Sequence, residues 1–296
     1  MAAEKRSLVF ASECDLPIKR PSLFLDGLLA LCNMLPRGRG AVARAIGRLA
    51  LSDRLYEAAL PNGSRLLWTS WVFDMLAHMR GPNGWDRHVL DALRRHAQPQ
   101  MCFWDVGANI GYMAASLAHE FPRMEVVAFE PIPSLAGALA RTASHSGYGN
   151  LKVIGAALSA RDAPIELFLG SHSVHSSMRA RGDCTRIEVP GYAADTLVEQ
   201  FGLRPPDLIK VDVEGAEMLF LDGARTCLAA HHPTIVYECD ENALRFGHSP
   251  GSFIVELQSL GYDQFFLLDA AGKEIELRGD ALIAPEFGNF LARRQN

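Results

Sequence analysis

Phe103-Trp104-Asp105-Val106-Gly107-Ala108-Asn109-Ile110-Gly111-Tyr112 runs from an apolar strand through a turn punctuated by two glycines into a stretch of helical character. Glycine takes the left-handed backbone region without steric cost and brings no Cβ to a close approach. Asn109, between the two, is among the few other residues that tolerate that region. Such a turn suits a nucleotide-like cofactor held against a strand end. Downstream the strand-then-helix rhythm repeats. Strands are expected at 101–106, 125–129, 151–154, 208–212, 234–238, 264–268 and 289–292, and helices at about 111–121, 134–146, 195–201, 215–229 and 251–260. The alternation predicts an α/β fold: a mostly parallel, seven-stranded sheet with helices on both faces. A hairpin-like insertion, residues 165–169 with 186–189, interrupts it and encloses a long polar loop from Gly170 to Asp183.

Upstream, Leu23, Leu28, Leu31 and Leu35, then Val42, Ile46, Leu49 and Leu55, mark two short helices separated by Pro36-Arg37-Gly38. A hairpin-type turn at Leu60-Pro61-Asn62-Gly63-Ser64 leads into a short strand, Arg65-Leu66-Leu67-Trp68, and Val89, Leu90 and Leu93 give helical spacing over Asp86 to His96. Residues 1–80 therefore read as a helical N-terminal extension serving as a lid, a dimer contact or both, and 81–296 as the main domain. The run from Leu23 to Leu35 is interrupted by Asp26 and Asn33 and is too short to span a bilayer. In 296 residues, 49% are hydrophobic and the formal net charge is −5, which offers no general attraction to nucleic acid or an anionic membrane. The six cysteines include no Cys-x-x-Cys pair, which points to a reducing, cytoplasmic setting without structural zinc.

Glu130 ends the second strand of the series, nineteen residues after Gly111, where an acid is placed to accept ribose hydroxyls. No P-loop lysine follows the turn, so a cofactor with ribose and no pyrophosphate fits it. S-adenosylmethionine is such a molecule, with its methionine carboxylate near the helix N-terminus and its ammonium near Asp105. In Leu208-Ile209-Lys210-Val211-Asp212-Val213-Glu214-Gly215-Ala216-Glu217 a lysine and an acid share one face of a strand expected to be buried on both. An unpaired lysine there is costly, so Lys210 is expected to meet an acid, Asp212 first. In a sheet of order 3-2-1-4-5 the strand ends at Asp105, Asp212 and Glu238 gather at one edge, at the topological switch where such sheets bind ligands. Like charges held together raise at least one pKa, which suits a general base or a substrate ammonium. His172 and His175, in the polar loop, are alternative bases. Asp212 and Glu238 alone are a poor metal ligand set, and no metal is expected.

These stretches together resemble the FkbM-type S-adenosylmethionine-dependent methyltransferases. The resemblance rests on Asp105 through Tyr112, on Ala128-Phe129-Glu130-Pro131, on Ala157-Leu158-Ser159, on Ser176-Ser177-Met178 and on Ile209 through Glu217, in the family's order over residues 101 to about 240. It implies a Rossmann-like class I methyltransferase fold with a final antiparallel strand and S-adenosylmethionine as cofactor. It also implies methylation of a hydroxyl on a sugar, polyketide or other small-molecule or glycan acceptor. By carry-over Asp105, Gly107, Ala108, Asn109, Gly111 and Tyr112 would line the methionine end, Glu130 and Pro131 the ribose, and Ala157 the adenine edge. Lys210, Asp212 and Glu214, with Glu238 and His175, would serve the transferred methyl. The chain departs from the family pattern in the helix after Pro131, where it carries Arg141-Thr142. Two rivals compete: a non-catalytic module that keeps the cofactor pocket as a scaffold, and an NAD-dependent sugar-nucleotide enzyme. Intact Lys210, Asp212 and Glu214 weigh against the first. The missing Gly-x-Gly-x-x-Gly and Tyr-x-x-x-Lys weigh against the second.

Overall fold

The computed structural model describes residues 8–19, 54–70, 86–170 and 184–295, with the single positions 27, 42, 45, 75 and 178. Five strands, β1 (Cys102–Val106), β2 (Glu125–Phe129), β3 (Leu151–Ile154), β4 (Leu208–Val211) and β5 (Thr234–Cys239), form the parallel part of one sheet. β6 (Gln264–Leu268), the short β7 (Glu274–Glu276) and β8 (Gly288–Arg293) complete it in the order 7-6-8-5-4-1-2-3. β8 is antiparallel to both neighbours, β5 and β6, which is the final antiparallel strand of the class I methyltransferase arrangement. The eighth strand, β7, adds to the seven read from the sequence. It is a charged three-residue edge, Glu-Ile-Glu, whose pattern carries no strand signal of its own.

Side chains alternate across β1. Phe103 packs with Val126, Leu117 and Leu135 on the face covered by α1 (Arg87–His96), α2 (Tyr112–Glu120) and α3 (Pro133–Ser146). Trp104 and Val106 pack on the other face, with Phe129, Leu221, Leu228 and Phe253, beneath α4 (Ala194–Glu199), α5 (Glu217–Gly223), α6 (Arg225–His231) and α7 (Pro250–Ser259). All five residues of β1 are buried, as a central parallel strand requires. The single helix expected over 215–229 is two helices. Gly223 lies so close to Ser159 that a Cβ there would stand 2.0 Å from its carbonyl oxygen, and Asp195 accepts from the Thr226 and Cys227 N–H groups at 2.9 and 2.8 Å, capping a fresh N-terminus.

The expected insertion is present as the antiparallel pair Ile165–Leu169 and Thr185–Val189. The two helices expected between Leu23 and Leu55 fall largely outside the described residues. Leu55, read as the last apolar position of the second, instead opens the strand Leu55–Ala59. That strand pairs with Arg65–Trp68 across the expected turn and with Ile18–Lys19. This small sheet shares a core with the main one, with Tyr56 and Trp68 fully buried. The departure at Thr142 finds its explanation here. The buried hydroxyl donates to Ala138 O at 2.9 Å and accepts the Leu67 N–H at 3.0 Å, tying α3 to the hairpin. Thr142→Val keeps the shape and orphans a buried N–H, so chemical denaturation is expected to show a loss of about 1–3 kcal/mol.

Candidate active site

β1 and β4 deliver their carboxyl ends side by side, and the two loops that follow interlock. Gly107 has φ +79°, and a Cβ on it would stand 1.9 Å from the backbone oxygen of Asp212. Asn109 and Gly111 are also left-handed, at φ 52° and 88°. A Cβ on Gly111 would stand 2.1 Å from Leu139 Cδ1, so this glycine lets α2 start against α3. The Gly107 and Ala108 N–H groups both donate to Phe129 O at 3.0 Å. Glu130, one residue on and buried, accepts from the Asn109 N–H at 2.7 Å and the Ile132 N–H at 2.8 Å. Its first task is therefore to fix the glycine turn, and each oxygen keeps further acceptor capacity toward the cavity it lines. Burial, partly offset by those two N–H bonds, pushes its carboxyl up to about 7.

The cavity is about 520 Å³, within the range of small-molecule sites. Of the residues expected at the cofactor, Gly107, Ala108, Asn109, Tyr112, Glu130, Pro131 and Ala157 line it, and so do Lys210, Asp212, Glu214 and Glu238. Asp105 and Gly111 stand behind the wall. Asp105 is wholly buried; one oxygen accepts the Ala114 N–H at 3.0 Å in the first turn of α2, and the other lies 4.0 Å from Lys210 Nζ with no hydrogen bond. Its carboxyl is pushed up to about 6, mostly by burial, against the pull of Lys210. The alternation of a strand places Asp105 on a face, and only the backbone of α2 decides that the face is turned inward.

Lys210 meets the acid expected of it. Nζ donates to Asp212 Oδ2 at 2.9 Å and to Gly107 O at 3.5 Å, so one ammonium joins the turn of β1 to the acid of β4. Burial would lower its pKa, but the Asp212 and Asp105 carboxylates outweigh burial and raise it. Glu238 is hydrogen-bonded to Asp212. The charge of Asp212, then burial, drives its pKa far up, so Glu238 carries the proton of that contact. Glu214 sits at φ 55°, and Glu217 on α5 accepts from the Gly215 N–H at 3.1 Å, buried and pushed by burial up to about 7.

His172 and His175 lie outside the described residues; Met178, from the same loop, lines the cavity. The sequence reading missed Asp86, Asp240, Glu241 and Asn242, all on the wall. Asp240 and Asn242 follow β5 as Asp212 and Glu214 follow β4, so the strand-end rule applied to Glu238 and carried a few residues further would have found them. Among the described residues no group of three His, Cys, Asp or Glu is placed to hold a metal ion, and no helix is long and apolar enough to cross a membrane.

The sequence model of a family described as the methyltransferase FkbM domain matches residues 105–263, more than half of the chain. Methyltransferase sdnD of Sordaria araneosa is 31% identical over 151 residues, 40% of this chain and 58% of that protein. Hexuronic acid methyltransferase AglP of Haloferax volcanii is 30% identical over 158 residues, 51% of this chain and 61% of that protein. The chain thus spans about three fifths of the length of each of these relatives. A crystal structure of an FkbM methyltransferase from Methylobacillus flagellatus KT aligns with a TM-score of 0.41 at 18% identity, covering 66% of this chain and 44% of that one.

Proposed function

The chain belongs to the FkbM methyltransferase family, and on that footing we propose that it is an S-adenosylmethionine-dependent O-methyltransferase acting on a hydroxyl of a sugar, polyketide or related small molecule or glycan. The observation that carries the reading is the contact chain Gly107, Lys210, Asp212, Glu238, which joins the cofactor turn to a proton acceptor on one cavity wall. Bound S-adenosylmethionine supplies an electrophilic methyl whose carbon–sulfur bonding pair stays with sulfur as a thioether. The Gly107 to Asn109 backbone and Tyr112 would hold the methionine end, Glu130 the ribose hydroxyls and Ala157 the adenine edge. Asp212, on the same wall, would take the proton of the acceptor hydroxyl whose oxygen receives the methyl. Fixing two reactants in line supplies roughly 7–11 kcal/mol of the barrier reduction. The hexuronic acid named for one relative favours a sugar among these acceptors.

We assign residues 81–296 to catalysis and, within 1–80, the part around Met75 to a cover over the acceptor half. Met75, buried and on the cavity wall, supports that division. Free Cys14, Cys102, Cys184, Cys227 and Cys239 support a reducing, cytoplasmic setting.

Calorimetry with S-adenosylhomocysteine, followed by mass spectrometry of an extract of the source cell incubated with enzyme and donor, tests the reading. Tight binding and a product heavier by one methyl are expected; a protein that binds neither donor nor demethylated product refutes it. Glu130 makes the binding step pH-dependent. Ribose hydroxyls and a sulfonium favour its ionised form, so S-adenosylmethionine binding near pH 7 is expected to release a proton. Affinity then rises with pH and levels off above about 8, one unit past the midpoint near 7. Titrations in buffers of different ionisation enthalpy read the proton directly, and Glu130→Gln is expected to abolish the release.

A further inference from the structure

Among the described residues, one large exposed apolar side chain also lines the cavity: Phe287, 41% exposed. The exposed Leu244, Val255 and Ile283 do not line it, and scattered surface residues of that kind need no explanation. The chain beside Phe287 is firmly held. Gly288 pairs with Cys239 and Asn289 with Glu238 at the start of β8, a Cβ on Gly288 would stand 3.1 Å from Leu267 Cδ1, and the Asn289 side chain meets His88 Nε2 at 3.2 Å. That register, carried one residue further, sets Phe287 opposite Asp240, and both line the cavity. Sheet order then decides which ligand the ring can meet. The start of β8 lies three strand spacings from the glycine turn after β1, roughly 14 Å, with the ends of β4 and β5 between them. Glu130 follows β2, on the far side of that turn. Phe287 therefore belongs to the acceptor half of the cavity.

We propose that Phe287 is the binding platform of the acceptor: a pyranose lies with its C–H face on the phenyl ring and presents a hydroxyl to Asp212. The proposal rests on the methyltransferase reading and narrows its acceptor to a sugar. An aromatic face carries partial negative charge and attracts polarised C–H groups, and a phenyl ring offers a large contact area at little cost in rotamer freedom. The start of β8 and the end of β4 are two strand spacings apart, about 10 Å, a gap that one sugar ring bridges. The wall beside Phe287 decides between a sugar and a flat aromatic acceptor. Asp240, Glu241 and Asn242 line it. The rim hydroxyls of a pyranose hydrogen-bond to such groups, whereas the apolar edge of a flat aromatic would desolvate them with no bond in exchange.

Protein saturated with S-adenosylhomocysteine is titrated by calorimetry with methyl glucoside, methyl galactoside and methyl mannoside, and with naphthol as the flat aromatic. At least one glycoside is expected to bind, and more tightly than naphthol. Phe287→Ala is expected to weaken that glycoside about tenfold, Phe287→Leu, which keeps apolar bulk without the ring, about fivefold, and Phe287→Tyr less than about threefold. S-adenosylhomocysteine affinity is expected to stay unchanged in all three, which also shows that they fold. In saturation-transfer NMR with irradiation of the protein's aromatic protons, the ring C–H protons of the bound glycoside are expected to respond, and to lose most of that response in Phe287→Ala. No glycoside bound, naphthol bound more tightly than every glycoside, or a glycoside affinity untouched by Phe287→Ala or Phe287→Leu overturns the proposal. So does a loss of S-adenosylhomocysteine affinity in Phe287→Ala, which would place the ring at the cofactor. Each of these results sinks this proposal alone; a protein that binds no S-adenosylhomocysteine sinks the functional reading and this proposal with it.

Discussion

Lys210→Met is expected to cost about 3–5 kcal/mol of folding stability, the usual penalty for removing one partner of a buried ion pair. The ammonium lies 2.9 Å from Asp212 and 4.0 Å from Asp105, and both it and Asp105 are out of water. Methionine fills much the same volume, so the loss isolates charge from packing. The penalty depends on pH, and its sign follows from Asp105. That carboxyl is already pushed up to about 6 with the lysine present. Without the cation its folded-state pKa rises further, so lowering the pH protonates Asp105 in the folded variant and removes the uncompensated charge. The gap between variant and wild type is therefore expected to be widest near pH 8 and to narrow toward pH 5. Urea titrations at the two pH values measure it. Asp105→Asn in the Lys210→Met background is expected to recover part of the loss at pH 8, whereas a pH-independent gap would mean that packing, not charge, dominates.

The same cluster shows what the sequence disclosed and where it stopped. Strand order and the meeting of Lys210 with Asp212 were legible because a period of two puts residues 210 and 212 on one face, and a buried strand does not leave a lysine unpaired. The glycine turn was legible because left-handed backbone restricts residue choice so narrowly. What Glu130 and Asp105 do inside that turn was not legible. Both were read as ligand contacts, yet Glu130 spends its first hydrogen bonds on the Asn109 and Ile132 N–H groups, and Asp105 faces the first turn of α2 from behind the wall. Spacing gives an acid's address; only the path of the neighbouring backbone says whether its oxygens turn toward a ligand or toward orphan N–H groups. The break between α5 and α6 escaped for a related reason. It depends on a close approach of Gly223 to Ser159, sixty-four positions earlier in the chain, which no local pattern encodes. Asn242 escaped because it lies in a loop, where no periodicity assigns a face.

Asp212 and Glu238 are both acids on one wall, and the sequence reading expects at least one of them to have a raised pKa without saying which. The structure separates them. Glu238 holds its proton against the charge of Asp212, while Asp212 receives hydrogen bonds from Glu238 and Lys210 and lines the cavity, where the proposed reaction uses it as the base. Asp212→Asn removes the acceptor of the hydroxyl proton and is expected to lower kcat about 10²–10⁴-fold on the acceptor that mass spectrometry identifies. Donor affinity, measured by calorimetry, is expected to change little, because the cofactor turn is pinned by Phe129 O and Glu130 and not by the Asp212 side chain. Glu238→Gln replaces a neutral acid with a neutral amide that still donates to Asp212, so its kcat is expected to fall less than about tenfold. The order of these two effects is the decisive result. A kcat loss in Glu238→Gln as large as that in Asp212→Asn would place the departing proton on Glu238, and would require Glu238 to be ionised when the acceptor is bound. The opposite order fixes Asp212 as the residue that takes the proton, with Glu238 orienting it and Lys210 tying it to the glycine turn.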